Sequence, residues 1–178
     1  FFNKMSVSPK DGMEKSYDEI FKLLDLMGEK CEVFKGSDNY LVDEETPNIS
    51  PAAQDLAKRV ENYSPENPLY VVAIGAITNI ASAILLNPNV AENAVVVWLG
   101  GSAHQYRNGE FNMEQDIAAA RVVMMSGVPF VQLPCGGVVD RFTVSKPELE
   151  YWLKGKNPLA NYLAENTIRE ADSYAKGT

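Results

Sequence analysis

Residues 95–121 read VVVWLGGSAHQYRNGEFNMEQDIAAAR, and the fold of the chain follows from how they are parsed. The run Val95-Val96-Val97-Trp98-Leu99 is apolar and β-branched without alternation, the pattern of a strand buried on both faces of a parallel sheet. Gly100 and Gly101 end the strand, where backbone can approach a ligand closely. A polar loop follows, holding His104, Arg107, Asn108, Glu110 and Asn112. Asp116 then offers an N-cap for a helix that begins at Ile117 and ends before Gly127. This succession puts the loop outside the carboxyl end of a strand, where ligands bind in open α/β sheets.

Working outward, residues 69–74 read as a second buried strand and residues 129–133 as a third. A helix over residues 79–86 lies between the first two strands, stopped by Asn87-Pro88. Strands alternating with helices imply βαβ units, so the expected fold class is α/β, an open and mostly parallel sheet with flanking helices. Nearer the start, Ser8-Pro9 and Asp11-Gly12 read as loop and turn. Ser16 caps a helix over residues 17–27, with Glu19 three positions on, Ile20, Leu23, Leu24 and Met27 on one face and Gly28 as its stop. Residues 31–34 suggest a short strand, and Ser50-Pro51 opens a helix running to about residue 62. Toward the end, Ser145 caps a helix over residues 147–153, and another covers residues 158–175. With no internal repeat, a single domain over residues 1–178 is the simplest organisation.

Sixteen Lys and Arg against twenty-four Asp and Glu leave a net charge of −8, and no basic stretch exceeds two adjacent positive charges. Nucleic-acid binding through phosphates is therefore not expected. Cys31 and Cys135 stand far apart without CxxC spacing, which indicates neither a zinc site nor a disulfide framework and leaves a reduced, cytoplasmic setting as the expectation. No apolar run reaches the roughly eighteen residues of a membrane span, and the opening residues lack a signal-peptide pattern. The chain opens on Phe1 rather than methionine, which suggests a start inside a longer sequence.

Two motifs carry a specific resemblance. Leu99-Gly100-Gly101, followed by Glu110-Phe111-Asn112 and Asp116, is similar to the signature of the inosine-uridine-type nucleoside hydrolases. Upstream, Ile74-Gly75-Ala76-Ile77-Thr78-Asn79-Ile80-Ala81 with Asn87-Pro88 resembles that family's glycine-x-leucine-threonine-asparagine segment and its asparagine-proline turn. The resemblance implies a protein that hydrolyses the N-glycosidic bond of ribonucleosides to base and ribose with a calcium-activated water. It implies that Glu110 and Asn112 hold ribose hydroxyls, that Leu99 lies in the substrate site, and that Asn108 parallels a substrate-binding asparagine in a loop of different spacing. It implies that the backbone carbonyl of Ile74 is a calcium ligand. The family's aspartate cluster, D-x-D-x-x-x-D-D, has no counterpart here, nor does its late histidine segment, so the catalytic residues stay unassigned and His104 inherits no leaving-group role. The expectation is a central fragment of a nucleoside hydrolase, inactive by itself because Ca²⁺ takes roughly six to eight oxygens and would keep one.

Without the resemblance, the same residues have plainer readings. Glu110 and Asn112 are i, i+2, so in an extended loop they point one way while Phe111 faces the core. Thr78 and Asn79 read as helix-cap residues, Asp116 as a cap, Trp98 and Cys135 as core, Met124-Met125 as core or interface, and His104 as solvated. The turn Gly75-Ala76-Ile77-Thr78 is no GxGxxG phosphate loop. Three alternatives remain open: a non-catalytic ribose- or nucleoside-binding module whose affinity ignores EDTA, a fragment whose strand edges pair with another chain, and a nucleotide-binding hydrolase of the same architecture. The expected partners are a ribonucleoside and possible copies of the same chain, with no nucleic acid and no membrane.

Overall fold

A computed structural model describes residues 6–105 and 109–176 of the chain. In chain order they form helices α1 (Pro9–Met27) and α2 (Pro51–Arg59), strand β1 (Leu69–Ala73), helices α3 (Thr78–Leu86) and α4 (Asn89–Asn93), and strand β2 (Ala94–Leu99). Helices α5 (Phe111–Gln115) and α6 (Ile117–Met125), strand β3 (Phe130–Leu133), and helices α7 (Lys146–Trp152) and α8 (Pro158–Lys176) complete the order. The strands make an open parallel sheet in the order β1-β2-β3, flanked by helices, which is the expected α/β class. No helix among the described residues is long and apolar enough to cross a membrane.

The residues group into two compact units. The first, Phe1–Tyr17 with Phe34–Arg141, contains the sheet. Its core joins Val96 and Trp98 of β2 to Ile80, Ala81 and Ile84 of α3 and to Ala119, Ala120 and Val123 of α6. Small residues on α3 and α6 let the two helices meet, and together they cover one face of the sheet. The second unit comprises Asp18–Val33 and Phe142–Thr178. There α7 packs on α8, the Tyr162 hydroxyl donates to the Glu19 carboxylate, and the Lys22 ammonium stands 3.9 Å from the centre of the Tyr162 ring.

The strands differ from expectation in one respect. β2 was expected to be buried on both faces, but it alternates: Ala94, Val96 and Trp98 are buried while Val95, Val97 and Leu99 are half-exposed. In β1, Tyr70 and Val72 are 67% and 68% exposed, and Ile74 just beyond it is 78% exposed. The physical reason is that valine occupies both faces, so hydropathy carries no alternation although burial does.

The helices also correct several readings. α1 starts at Pro9 because the Ser8 hydroxyl accepts from the Asp11 amide, so Asp11-Gly12 lies inside the helix rather than in a turn. Its end is as expected, with Gly28 at φ 71°. Residues 31–34 form no strand. α2 has the expected Ser50 cap and Pro51, then tightens into a 3₁₀ turn over Val60–Asn62. The short helices α4 and α5 were not anticipated. Met124 and Met125, read as core or interface, are exposed and so lie outside the core, and Cys135 lies beyond β3.

Candidate functional site

β1 and β2 end side by side, with Ala73 paired to Trp98, and so bring their exit turns together. Parallel strands present carbonyls and amides at the same end, the end at which open α/β sheets bind ligands. Beyond β1 come Ile74 and Gly75; beyond β2 come Gly100 and Gly101. The glycine pair is required. Gly101 has φ 74°, and a Cβ on Gly100 would lie 2.3 Å from the Trp98 indole.

Glu110 is the cap of α5 and only 8% exposed. One carboxylate oxygen accepts from the Gly101 amide at 2.7 Å and the Met113 amide at 3.0 Å, and the other from the Asn112 amide at 3.0 Å. The carboxylate thus clamps the glycine turn of β2 to the start of α5. Asn112, in the first turn of α5, donates from Nδ2 to the Leu99 carbonyl at 2.9 Å and approaches the Ile74 carbonyl at 3.4 Å. Four of the residues singled out in the sequence, Ile74, Leu99, Glu110 and Asn112, therefore converge on one spot. Asn108 lies outside the described residues.

The local backbone departs from the extended loop anticipated for Glu110-Phe111-Asn112. The segment turns into a helix at Phe111, and Phe111 is 39% exposed instead of facing the core. Helical geometry breaks the i, i+2 alternation, so Glu110 and Asn112 meet through the capping bond instead.

Behind this turn sits a second hub. Asp116 caps α6 by accepting from the Ala119 amide, as expected. Its other oxygen accepts from the Thr78 hydroxyl at 2.6 Å and the Leu41 amide at 3.0 Å. Thr78 and Asn79 are therefore not caps of α3: the preceding Ile77 is the cap residue and makes no side-chain cap bond. Asn79 Oδ1 instead accepts from the Ser37 amide and from the hydroxyls of Ser37 and Ser50. Burial, and then the nearby Asp116 carboxylate, push the Tyr40 phenol above its ordinary value. His104 is exposed in a turn, as expected of a solvated histidine.

The donor set does not fit a calcium ion. Among the described residues no three His, Cys, Asp or Glu side chains come together, and the Ile74 carbonyl is one oxygen where Ca²⁺ takes roughly six to eight. Sequence reasoning also missed two polar contacts to this spot. Trp98 Nε1 donates to the Gly75 carbonyl at 2.8 Å, and Gln132 Nε2 donates to the Gly100 carbonyl at 2.9 Å. Only the strand register reveals them.

With the geometry in hand, comparison with known proteins is specific. The family model for inosine-uridine preferring nucleoside hydrolase matches residues 7–177. The chain is 34% identical over 118 residues to the non-specific ribonucleoside hydrolase RihC of Salmonella paratyphi B, and equally to those of Salmonella newport and Salmonella typhi. Each match covers 64% of this chain and 38% of the relative, so the chain spans well under half the length of the curated relatives it matches.

Proposed function

From the premise that this chain belongs to the inosine-uridine preferring nucleoside hydrolase family, we propose that the turns beyond β1 and β2 hold the ribose of a ribonucleoside in a protein that hydrolyses its N-glycosidic bond. The observation that carries the reading is the convergence of the Glu110 carboxylate, the Asn112 amide and the Leu99 and Ile74 carbonyls at one strand end. Carboxylate and carbonyl oxygens accept from sugar hydroxyls, and an amide donates to or accepts from them. Three backbone amides hold Glu110 in advance, so the sugar meets acceptors that need no reordering.

We expect the 178 residues by themselves to hold the sugar without cleaving it, because the sequence carries no counterpart of the family's D-x-D-x-x-x-D-D aspartates. Of calcium's ligands these residues would supply only the Ile74 carbonyl, too few to hold the ion, and no step is routed through it.

Calorimetric titration of the chain with inosine and with ribose tests this, with released reducing sugar followed in the same samples. We expect binding of both, no released sugar, affinity unchanged by EDTA, and a loss of about fivefold or more in Asn112→Ala. Equal affinity in wild type and Asn112→Ala would contradict the site, and sugar release by the chain alone would contradict its inactivity.

A further inference from the structure

Ala73, Trp98 and Gln132 are register partners on adjacent strands and form the last paired level of side chains on the helix-covered face before Ile74 and Leu99. Trp98 and Gln132 each reach forward to the exit turn of the strand before their own. Trp98 is fully buried, and its indole N–H donates to the Gly75 carbonyl at 2.8 Å. Gln132 donates to the Gly100 carbonyl at 2.9 Å. Each acceptor is a glycine peptide adjoining a carbonyl of the candidate site: Gly75 follows Ile74, and Gly100 follows Leu99.

Glycine has the widest choice of φ and ψ, so a strand that exits through glycine leaves the direction of the neighbouring carbonyl undetermined. A side-chain donor that fixes the glycine carbonyl removes that freedom before ligand arrives. A phenylalanine at position 98 would keep a buried ring there and provide no donor. The edge contact of Trp98 with Phe130, at 6.3 Å between ring centres, fixes the plane of the indole and hence the direction of its N–H.

We propose that Trp98 and Gln132 are positioning residues, which set the directions of the Ile74 and Leu99 carbonyls by anchoring the glycine peptides next to them. The proposal rests on the ribose-holding reading of the strand ends.

The test uses Trp98→Phe, which keeps a buried ring and removes the N–H, together with Gln132→Ala at an exposed position. Val96→Ala serves as a control, truncating the same core face away from the turns. Inosine affinity is measured for each by calorimetry at matched folded fraction, and the backbone amide signal of Gly75 and the side-chain amide signals of Asn112 are followed by NMR without ligand. Trp98→Phe and Gln132→Ala are expected to lower affinity by about fivefold, the value of one hydrogen bond, and to move those signals, while Val96→Ala does neither. Wild-type affinity and unmoved signals in both variants would overturn the proposal, as would equal losses in Val96→Ala. If wild-type chain binds no inosine, the ribose-holding reading fails; displaced signals in the two variants, but not in the control, would still support anchoring, and unmoved signals would overturn it.

Discussion

Asp116 shows why some single residues in this chain matter more than their sequence context indicates. Its carboxylate accepts from Ala119, Thr78 and Leu41, groups drawn from three separate segments, and it is only 4% exposed. Asp116→Ala removes a helix cap and leaves the Thr78 hydroxyl and Leu41 amide without their acceptor, so urea denaturation should report a loss of about 3 kcal/mol. A loss of only a few tenths would mean that the carboxylate merely caps α6. The cap was legible in the sequence because its partner stands three residues on. The bond to Thr78 spans 38 positions and was not, since nothing in a local pattern distinguishes a threonine that caps its own helix from one that reaches another segment. Glu110 repeats the lesson: its chemistry was legible and its partners were not. Tyr40 adds a titration. Its folded value lies above the ordinary phenol value of 10.0, so the stabilisation it reports is present below that value and lost as pH rises through the folded value. A spectrophotometric titration should contain a late phase from Tyr40, which Tyr40→Phe should remove.

At the level of elements, long helices and strands were readable because their signals repeat, whereas α4 and α5 have five residues each and too little length for any period to register. The start of α1 illustrates a different failure. Ser8-Pro9 is the same cap signal as Ser50-Pro51, yet Ser16 with Glu19 offers a competing start within the same stretch, and the structure uses the earlier one. α7 supplies a pH prediction. The Ser145 hydroxyl and then its backbone amide donate to the Glu148 carboxylate and hold it below the ordinary value of 4.5. Because the folded value is the lower one, this stabilisation is present above 4.5 and disappears as pH falls through the folded value. The Ser145 amide signal in NMR should therefore titrate with a midpoint below 4.5, and Glu148→Gln should abolish the titration; a midpoint at or above 4.5 would refute the cap. The β2 exit is tested by Gly100→Ala, whose methyl group would meet the Trp98 indole at 2.3 Å. The expected cost is about 1–3 kcal/mol in urea denaturation. An unchanged midpoint would mean that the indole is free to move away.

For the whole molecule, the notable property is that the sheet-bearing unit covers one sheet face and exposes the other, with Tyr70, Val72, Ile74, Val131 and Leu133 in contact with solvent. Apolar surface of this kind drives association. In sedimentation equilibrium the average mass should rise with concentration, and Val72→Lys should suppress the rise; a monomer at all concentrations would contradict this. The α/β class and the strand order along the chain were legible because βαβ alternation is a sequence property. Which face the helices cover was not, because valine stands on both faces. The central claim is that ribose sits at the joint ends of β1 and β2, and it is tested most directly by titrating the isotope-labelled chain with inosine and mapping the shifted amide signals. The account predicts the largest shifts at the Asn112 side chain and at the Gly75 and Gly101 amides. Shifts confined to α7 and α8, or none at saturating inosine, would contradict it.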